Sequence, residues 1–328
     1  MQDVILISHL KKYYQTYQKE PGFAGSIKSL FSRKYSQVKA VDNISFKIQE
    51  GELIGFIGPN GAGKTTTLKC LSGLLYPTSG SVSVLGYTPY LRKSEFLKKI
   101  ALVMGQKNQL WWDLPAMETF LLYKEIYQIE DKKFKTTLDE LVNMLEVKDV
   151  INIQVRKLSL GQRMKCELIA ALIHSPKVLF LDEPTIGLDV VMQKKIRDFL
   201  KTYNEKFKAT IILTSHYMDD VRELCERIIM IDKGVIIYDG KLDSLVKKYA
   251  KYKTLSVVFD KYVDPKKLEK IGIVKEFDYP KAVLTVDRKT SSIAASKLLA
   301  DFPVDDLNIE EPEIEDIIRG VFAGKELS

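Results

Sequence analysis

The sequence predicts an α/β protein in which a mostly parallel, helix-covered sheet is followed by a smaller α+β domain. The apolar run at 178–181, and the run at 210–214 in which two threonines flank three aliphatic residues, are typical of strands that helices cover on both faces. Segments with helical spacing lie between such runs, and this alternation indicates a parallel sheet. After residue 253 the order becomes β-α-β-β-α-β, and 328 residues are enough for two domains of these kinds.

The composition narrows the class of protein without choosing a function. Hydrophobic residues make up 45% and charged residues 28%, which excludes disorder or coiled coil as a description of the whole chain. We expect no membrane span, no secretory signal, and three reduced cysteines that serve packing. The chain has a net charge of +7, made up of +11 in the first 253 residues and −4 after them, and the basic part suits nucleic acid, anionic lipid or nucleotide phosphates equally.

The elements of the first domain, predicted at 1–245, follow from the apolar pattern in chain order. Alternating stretches at 2–14 and 38–49 predict strands, and the run at 53–57 predicts a strand that enters a glycine-rich turn. Helical spacing with few breakers predicts helices at 66–75, 115–146 and 162–175. Apolar runs predict the later strands at 178–181, 210–214 and 228–232.

The second domain is predicted at 246–328, after a basic linker helix at 241–253. Its predicted elements are, in order, 255–259 (β), 265–271 (α), 274–278 (β), 282–286 (β), 291–300 (α) and 304–309 (β). This is the order of a ferredoxin-like domain, and 314–322 predicts a closing helix.

Residues 58–65 carry the first chemical motif. They read Gly-Pro-Asn-Gly-Ala-Gly-Lys-Thr and fit the pattern G-x-x-x-x-G-K-[ST] between a strand and a helix. The glycines let backbone N–H groups turn towards phosphate oxygens, and the helix N-terminus adds positive potential. We expect Lys64 to reach the β- and γ-phosphates and the Thr65 hydroxyl to hold Mg²⁺. The other predicted nucleotide contacts in this loop are Gly58, Asn60, Gly61, Gly63 and Thr66.

Two carboxylates, Asp182 and Glu183, end the apolar strand that starts at residue 178. Asp182 is predicted to hold Mg²⁺ through water, and Glu183 to poise a water for in-line attack on the γ-phosphorus. Acids in this position can also be plain surface residues. The phosphate-binding loop upstream favours the functional role.

A third motif precedes the helix that leads to Asp182. Leu158-Ser159-Leu160-Gly161-Gln162 resembles the L-S-G-G-Q signature of ABC-type ATPases. Leu160 departs from that pattern, because the family has glycine there, and this puts the signature's contact with nucleotide in question. Other family positions are matched by Gln106 (the Q-loop glutamine), 187–189 (the D-loop), His216 (the switch histidine) and Tyr14 (the aromatic that stacks on adenine). Tyr13 is the neighbouring candidate for the adenine ring.

The resemblance covers about residues 2–245 and implies a P-loop NTPase fold of the ABC type, with a parallel core sheet, an antiparallel β subdomain and a helical subdomain. It implies that the chain binds and hydrolyses ATP with Mg²⁺. The implied catalytic residues are Glu183, His216 and Gln106. The implied metal ligands are Thr65, Gln106 and Asp182. The implied nucleotide contacts outside the phosphate-binding loop are Tyr14, Ser159, Gly161 and Gln162.

The resemblance also implies partners. In the family each ATP lies between the P-loop of one domain and the signature of another, so a second copy or a homologue is needed. Separate membrane permease subunits form the transport path, which places the chain at the cytoplasmic face of the cell membrane. No nucleic-acid partner is expected. Trp111 and Trp112 lie where the family receives its membrane subunit, and core packing is the alternative for both.

The C-terminal order resembles the accessory domain on ATPases of ABC-2-type exporters, which favours export over import and an accessory or regulatory role for 246–328. The basic insertion at 15–37 places Ile27, Leu30 and Phe31 on one helix face, either as a flap or at the membrane-facing side. Two alternatives stay open. One is a polysaccharide or lipid-linked glycan exporter ATPase, whose C-terminal domain is usually a β-sandwich. The other is a soluble ABC ATPase of translation or repair.

Overall fold

The computed structural model describes residues 2–17, 35–249, 252–311 and 314–322. These residues belong to two compact units, Met1–Gly240 and Lys241–Ser328, whereas the sequence predicts the boundary after residue 245. The helix predicted within the insertion at 15–37 lies outside the described residues.

The strands up to residue 241 form two sheets. In chain order they are β1 (Asp3–Tyr17), β2 (Tyr35–Gln49), β3 (Leu53–Ile57), β4 (Ser79–Val84), β5 (Ile100–Met104), β6 (Val178–Asp182), β7 (Thr210–Thr214), β8 (Arg227–Asp232) and β9 (Val235–Lys241). The larger sheet has the order β5-β6-β7-β3-β8-β9, and its first five strands run parallel. Every residue of β6 and β7 is buried, as their continuous apolar runs predict.

The smaller sheet has the order β2-β1-β4 and is antiparallel. Its inward side chains, such as Ile5 and Ile44, share one hydrophobic cluster with Phe56 of β3 and Ile229 of β8. Each fully buried aliphatic side chain contributes roughly 1.5–3 kcal/mol relative to an exposed one. This shared cluster therefore fixes the antiparallel sheet against the parallel one.

Among the residues that the structure describes, the first unit has seven α-helices, which lie in the chain between its strands. They are α1 (Lys64–Leu71), α2 (Ser94–Leu97), α3 (Ala116–Tyr127), α4 (Asp131–Leu145), α5 (Leu160–Leu172), α6 (Val190–Phe207) and α7 (Met218–Leu224).

Besides the helix predicted at 162–175, which is Leu160–Leu172 because Ser159 and Gln162 cap its start, two helix predictions of the first unit differ from the structure. The helix predicted at 66–75 starts at Lys64 and ends at Leu71, since Gly73 has a φ of 75° that does not continue a helix. The helix predicted at 115–146 is two helices, because Gln128 adopts a left-handed φ of 55° between them. In both cases one residue with positive φ sets the boundary.

The second unit is built on one antiparallel sheet. Its elements are α8 (Leu242–Tyr249), β10 (Tyr252–Phe259), α9 (Pro265–Leu268), β11 (Ile273–Asp278), β12 (Lys281–Asp287), α10 (Ser291–Asp301), β13 (Val304–Glu310) and α11 (Ile314–Phe322). The sheet order is β11-β12-β10-β13, and a core of its own includes Leu255, Leu284 and Leu298. The predicted β-α-β-β-α-β order is confirmed, although the linker helix ends at Tyr249 and α9 ends at Leu268.

Candidate active site

The phosphate-binding loop joins β3 to α1, and its lysine is already turned inward. Lys64 is buried, and its Nζ donates to the carbonyl oxygens of Gly58, at 2.6 Å, and Pro59, at 3.2 Å. Burial lowers the pKa of Lys64, while the nearby carboxylates of Glu183 and Asp182 oppose that shift. The ammonium group thus lies inside the loop, where a phosphate oxygen would meet it.

Two glycines of this loop tolerate no side chain. A Cβ on Gly58 would lie 2.2 Å from the carbonyl oxygen of Ile231. Gly63 has a φ of 108°, and a Cβ there would lie 2.3 Å from the carbonyl oxygen of Ala40. Both sites therefore require glycine. The remaining predicted contacts are exposed at Asn60 and Gly61 and half-buried at Thr65 and Thr66.

Asp182 ends β6 next to the loop and accepts two hydroxyl hydrogen bonds. Thr65 Oγ1 donates to Oδ2 at 2.8 Å, and Thr214 Oγ1 donates to Oδ1 at 2.7 Å. The structure thus brings together two of the three predicted metal ligands. Thr214, the last residue of β7, was missed from the sequence because a threonine at a strand end carries no motif. Among the described residues, no three His, Cys, Asp or Glu side chains form a group that could hold a metal ion by themselves.

Glu183 has a strained backbone and a carboxylate held from both sides. Its φ is 57°, a left-handed conformation that costs a non-glycine residue of order 1–3 kcal/mol and that clusters at functional sites. Oε2 accepts from Gln106 Nε2 at 3.0 Å, and Oε1 lies 2.8 Å from His216 Nε2. The three predicted catalytic side chains therefore meet at one carboxylate. We read the strained backbone as the means of aiming it.

Gly105 makes that meeting possible, and the sequence did not single it out as a site residue. Its N–H donates to the carbonyl oxygen of Asp182 at 2.8 Å. A Cβ on Gly105 would lie 2.0 Å from the carbonyl oxygen of Glu183, so only glycine lets the two chain segments come this close.

A buried carboxylate supports the loops after β6 and β7. Asp220 accepts from Thr185 Oγ1 at 2.5 Å, Ser215 Oγ at 2.6 Å and Arg197 Nη1 at 3.0 Å. Because Ser215 precedes His216, this network fixes the loop that carries the histidine. Sequence reasoning missed it, since the residues are far apart in the chain.

The signature residues lie at the N-terminus of α5. Ser159 Oγ accepts from the N–H of Gln162 at 3.2 Å, and Gln162 Oε1 accepts from the N–H of Ser159 at 3.0 Å. This reciprocal capping box starts the helix. Gly161 faces Met192, and Leu160 is partly exposed beside Gly187. In the described part of the chain, the signature forms no hydrogen bond with the phosphate-binding loop.

The two tyrosines of β1 differ in what holds them. The Tyr13 hydroxyl donates to the Asp42 carboxylate, which raises the pKa of Tyr13 and lowers the pKa of Asp42. Tyr14 is half-buried, with Lys12 Nζ 5.1 Å from its ring centre. The Tyr13 hydroxyl is thus paired within the chain, whereas the Tyr14 ring contacts a cation; Tyr14 stays the predicted partner of the adenine ring.

The tryptophan pair follows Gln106 closely and is not core. Trp111 is 53% exposed and Trp112 is 49% exposed, whereas Leu110 is buried. The guanidinium of Arg163 lies 5.6 Å from a Trp112 ring. The prediction of core packing is therefore wrong for these two side chains.

The three cysteines are buried, as expected for residues that serve packing. Burial raises the pKa of Cys70 to about 11 and that of Cys166 to about 12.

Two protein-family models and several curated proteins match this chain. The family model "ABC transporter" matches residues 41–186, and the model "EvrA-like ABC transporter, C-terminal domain" matches residues 251–310. The ABC transporter ATP-binding protein NatA of Bacillus subtilis is 35% identical over 215 residues, which are 66% of this chain and 87% of that protein. An uncharacterized ABC transporter ATP-binding protein of Methanocaldococcus jannaschii is 30% identical over 280 residues, or 85% of this chain and 96% of that protein.

Among solved structures, a dimeric ATP-binding cassette in a post-hydrolysis state with ADP and Pi matches with a TM-score of 0.60 and 27% identity. The match covers 72% of this chain and 98% of that one. The fold and site thus define an ATP-binding and ATP-hydrolysing cassette of the P-loop class. The chain belongs to the family of ABC transporter ATP-binding proteins. No helix among the described residues has the length and apolarity needed to cross a membrane.

Proposed function

We propose that this chain is the ATPase subunit of an exporter whose transport path lies in separate membrane permease subunits. The observation that carries the ATPase role is the Glu183 carboxylate held between Gln106 and His216, beside Thr65 and Asp182. Export is supported by relatives named for the bacitracin transport of Bacillus licheniformis and the Nod factor export of Burkholderia thailandensis. They are 31% and 32% identical over 221 and 215 residues, covering 67% and 66% of this chain and 71% and 70% of theirs.

The hydrolytic step follows from the chain's own groups. Lys64 exchanges its loop carbonyl partners for the β- and γ-phosphates of ATP, which its inward position favours. Glu183 accepts a proton from the attacking water, and Gln106 and His216 orient that carboxylate.

Magnesium is the cofactor that the neighbouring donors suit. One carboxylate, Asp182, and one hydroxyl, Thr65, match a cation that takes few protein ligands and completes its shell with phosphate and water. Gln106 donates to Glu183 through Nε2, so its Oε1 is the oxygen available to the cation. When bound, Mg²⁺ neutralises charge that develops on the phosphoryl oxygens.

A second ATPase domain, either another copy or a homologue, completes each ATP site in this proposal. The N-terminus of the signature helix offers backbone N–H groups and the Ser159 hydroxyl as an anion site. In the described part of the chain it forms no hydrogen bond with the phosphate-binding loop of the same chain, so we expect it to meet the phosphates held by another domain. Beside it, Val190 is 76% exposed and Val191 is 68% exposed, which offers apolar surface that a second domain would cover.

The permease docks at the tryptophan pair in this proposal, which puts the chain at the cytoplasmic face of the membrane. Two half-exposed tryptophans give a rigid apolar anchor of the kind found at binding surfaces. The α+β second unit also separates this chain from the glycan-exporter alternative, for which we expect a β-sandwich. The accessory or regulatory role of residues 246–328 remains part of the proposal.

Purification from membranes tests the proposal. The tagged chain, extracted in mild detergent, is expected to bring with it a multispanning membrane protein and to show ATPase activity that depends on Mg²⁺. A K64A chain is the control, since it should assemble with the same protein without hydrolysing ATP. Recovery of the tagged chain without any membrane protein, in a form that hydrolyses ATP, would contradict the transport role and leave the ATPase role standing.

A further inference from the structure

Glu167 joins two parts of the site that share no motif. It lies in the middle of the signature helix α5 and is 3% exposed. Its carboxylate accepts the N–H of Gln109 with both oxygens, at 2.9 and 3.1 Å, and the N–H of Leu110 at 3.2 Å. We propose that Glu167 is a positioning residue that holds the glutamine–tryptophan segment, residues 105–112, on the signature helix.

One end of the glutamine–tryptophan segment is tied to the catalytic carboxylate. Gln106 donates to Glu183, and the N–H of Gly105 donates to the backbone of Asp182. The side chain of Gln109 adds a bond to the carbonyl oxygen of Leu102 in β5, at 2.7 Å. Glu167 therefore binds the segment within a few residues of Gln106, which contacts the catalytic carboxylate.

The other end of the segment is tied to the signature. Arg163, one helical turn before Glu167, lies over Trp112. The carbonyl oxygen of Trp112 accepts the N–H of Arg156 at 3.0 Å, just before the signature begins at Leu158. Trp112 is thus joined to the signature helix by the Arg163 side chain and, by one backbone bond, to the chain just before the signature.

The Glu167 carboxylate and the two N–H groups that it binds depend on each other for their stability. Burial raises the pKa of this carboxyl, and the two N–H donors oppose that shift, so the charge depends on the loop for its stability. The loop depends on the charge in turn, since two buried N–H groups would otherwise lack acceptors. The carboxylate and the segment therefore hold each other in place, so a displacement of one is expected to displace the other.

The inference rests on the proposed function for its meaning. If a membrane subunit moves the tryptophan pair, Glu167 makes Gln106 and the signature helix move with it. The anchor itself can be tested on the full-length protein without any membrane partner.

Amide hydrogen exchange and steady-state kinetics on E167A and E167Q test the anchor. In E167A we expect the amides of residues 109 and 110 to exchange roughly tenfold faster or more, because their acceptors are lost. We expect kcat to fall by about tenfold with KM for ATP changed by less than about twofold, since Gln106 loses its position rather than its substrate. E167Q keeps one acceptor oxygen and should recover much of both.

Two variants serve as controls. Glu52 also accepts a backbone N–H, from Gln49 at 2.6 Å, and pairs with Arg227, so E52Q perturbs a comparable carboxylate at the start of β3. E52Q should lower the unfolding temperature without changing exchange at 109–110 or kcat. The double variant W111A/W112A should keep slow exchange at 109–110, because the anchor is intact.

Unchanged exchange at 109–110 in E167A would overturn the inference, as would a kcat loss no larger than that of E52Q. If E167A does not fold, the same exchange measurement on E167M decides, because methionine fills the space of the glutamate without a carboxylate acceptor for these two N–H groups. If the wild-type protein fails to hydrolyse ATP, the proposed function falls, and the exchange data still judge the anchor.

Discussion

The two ends of the glutamine–tryptophan segment differ in what they leave unpaired. At Gln106 the polar side chains bond to one another within the chain, and the Glu183 carboxylate is largely enclosed. At Trp111 and Trp112, a few residues on, two large apolar side chains are half open to solvent. The first end is arranged for chemistry on a small ligand, and we propose that the second receives a partner outside the chain. A short segment of backbone thus connects the catalytic carboxylate to an exposed apolar surface.

The largest effect is expected at the catalytic end. Replacing Glu183 by Gln keeps the shape and hydrogen-bonding capacity of the side chain but removes the proton acceptor. ATP turnover should drop roughly a thousandfold while ATP affinity is retained, and an ATP-bound dimer should accumulate. Phosphate release and size-exclusion chromatography with ATP measure both. Hydrolysis near the wild-type rate would remove Glu183 from the role of base and weaken the contrast between the two ends.

The next largest effect concerns binding rather than turnover. K64A removes the ammonium group that the phosphate-binding loop encloses, and charge-assisted bonds of this kind contribute about 1.5–3 kcal/mol. ATP affinity should fall by roughly ten- to a hundredfold, measured by titration calorimetry. K69A is the control, because Lys69 lies in the last turn of the same helix and its loss changes the charge equally. Equal affinities for K64A and K69A would contradict the phosphate-binding role.

The catalytic end was largely predictable from the sequence, and the second end much less so. Strands 53–57 and 210–214 were predicted to the residue because buried parallel strands read as continuous apolar runs. Lys64 and Asp182 belong to local patterns tied to the ends of such strands. Local patterns of this kind can be recognised in the sequence without knowledge of the tertiary structure.

Glu167 shows why the rest was out of reach. A glutamate in a helix has no motif, and its partners Gln109 and Leu110 lie far from it in the chain. One signal existed: Glu167 is a single charge within the apolar stretch 166–172, which suggests a buried carboxylate without naming its donors. Gly105 and Thr214 were missed for the same reason, since their roles follow from close approach between strands.

A smaller effect on the isolated protein is expected at the recognition end. W111A/W112A should leave basal ATPase activity within about twofold of wild type, because neither ring contacts the catalytic carboxylate, and should abolish ATP-driven transport in membranes. Basal ATPase activity and transport are measured on the same variant, because only their separation shows that the rings act through the membrane partner. A large fall in the unfolding temperature of the isolated double variant would instead show that the rings support the fold.

The last test concerns stability rather than activity and probes how the signature helix is joined to β5, the strand that leads into the glutamine–tryptophan segment. His174 follows α5, and its ring stacks on that of Tyr127 with the ring centres 3.9 Å apart. Its Nε2 donates to the carbonyl oxygen of Ile100 in β5 at 3.0 Å. Nδ1 is buried without a partner among the described residues, so protonation there would leave an N–H unsatisfied. Burial accordingly lowers the pKa of His174 to about 4.

The sign of the pH dependence follows from that depressed pKa. The unfolded chain has the ordinary histidine pKa of about 6.5 and takes up the proton first. The contribution of His174 to stability is therefore full above about pH 6.5 and is lost as the pH falls towards 4, up to about 3 kcal/mol. H174F keeps a ring on Tyr127 but cannot titrate, so its denaturant midpoint should fall less between pH 7 and 5 than that of wild type, with exposed His9 replaced by Gln as the control. Parallel midpoint curves for H174F and wild type would mean that this contact between helix and strand is indifferent to acid, because no proton then distinguishes the folded from the unfolded chain at this site.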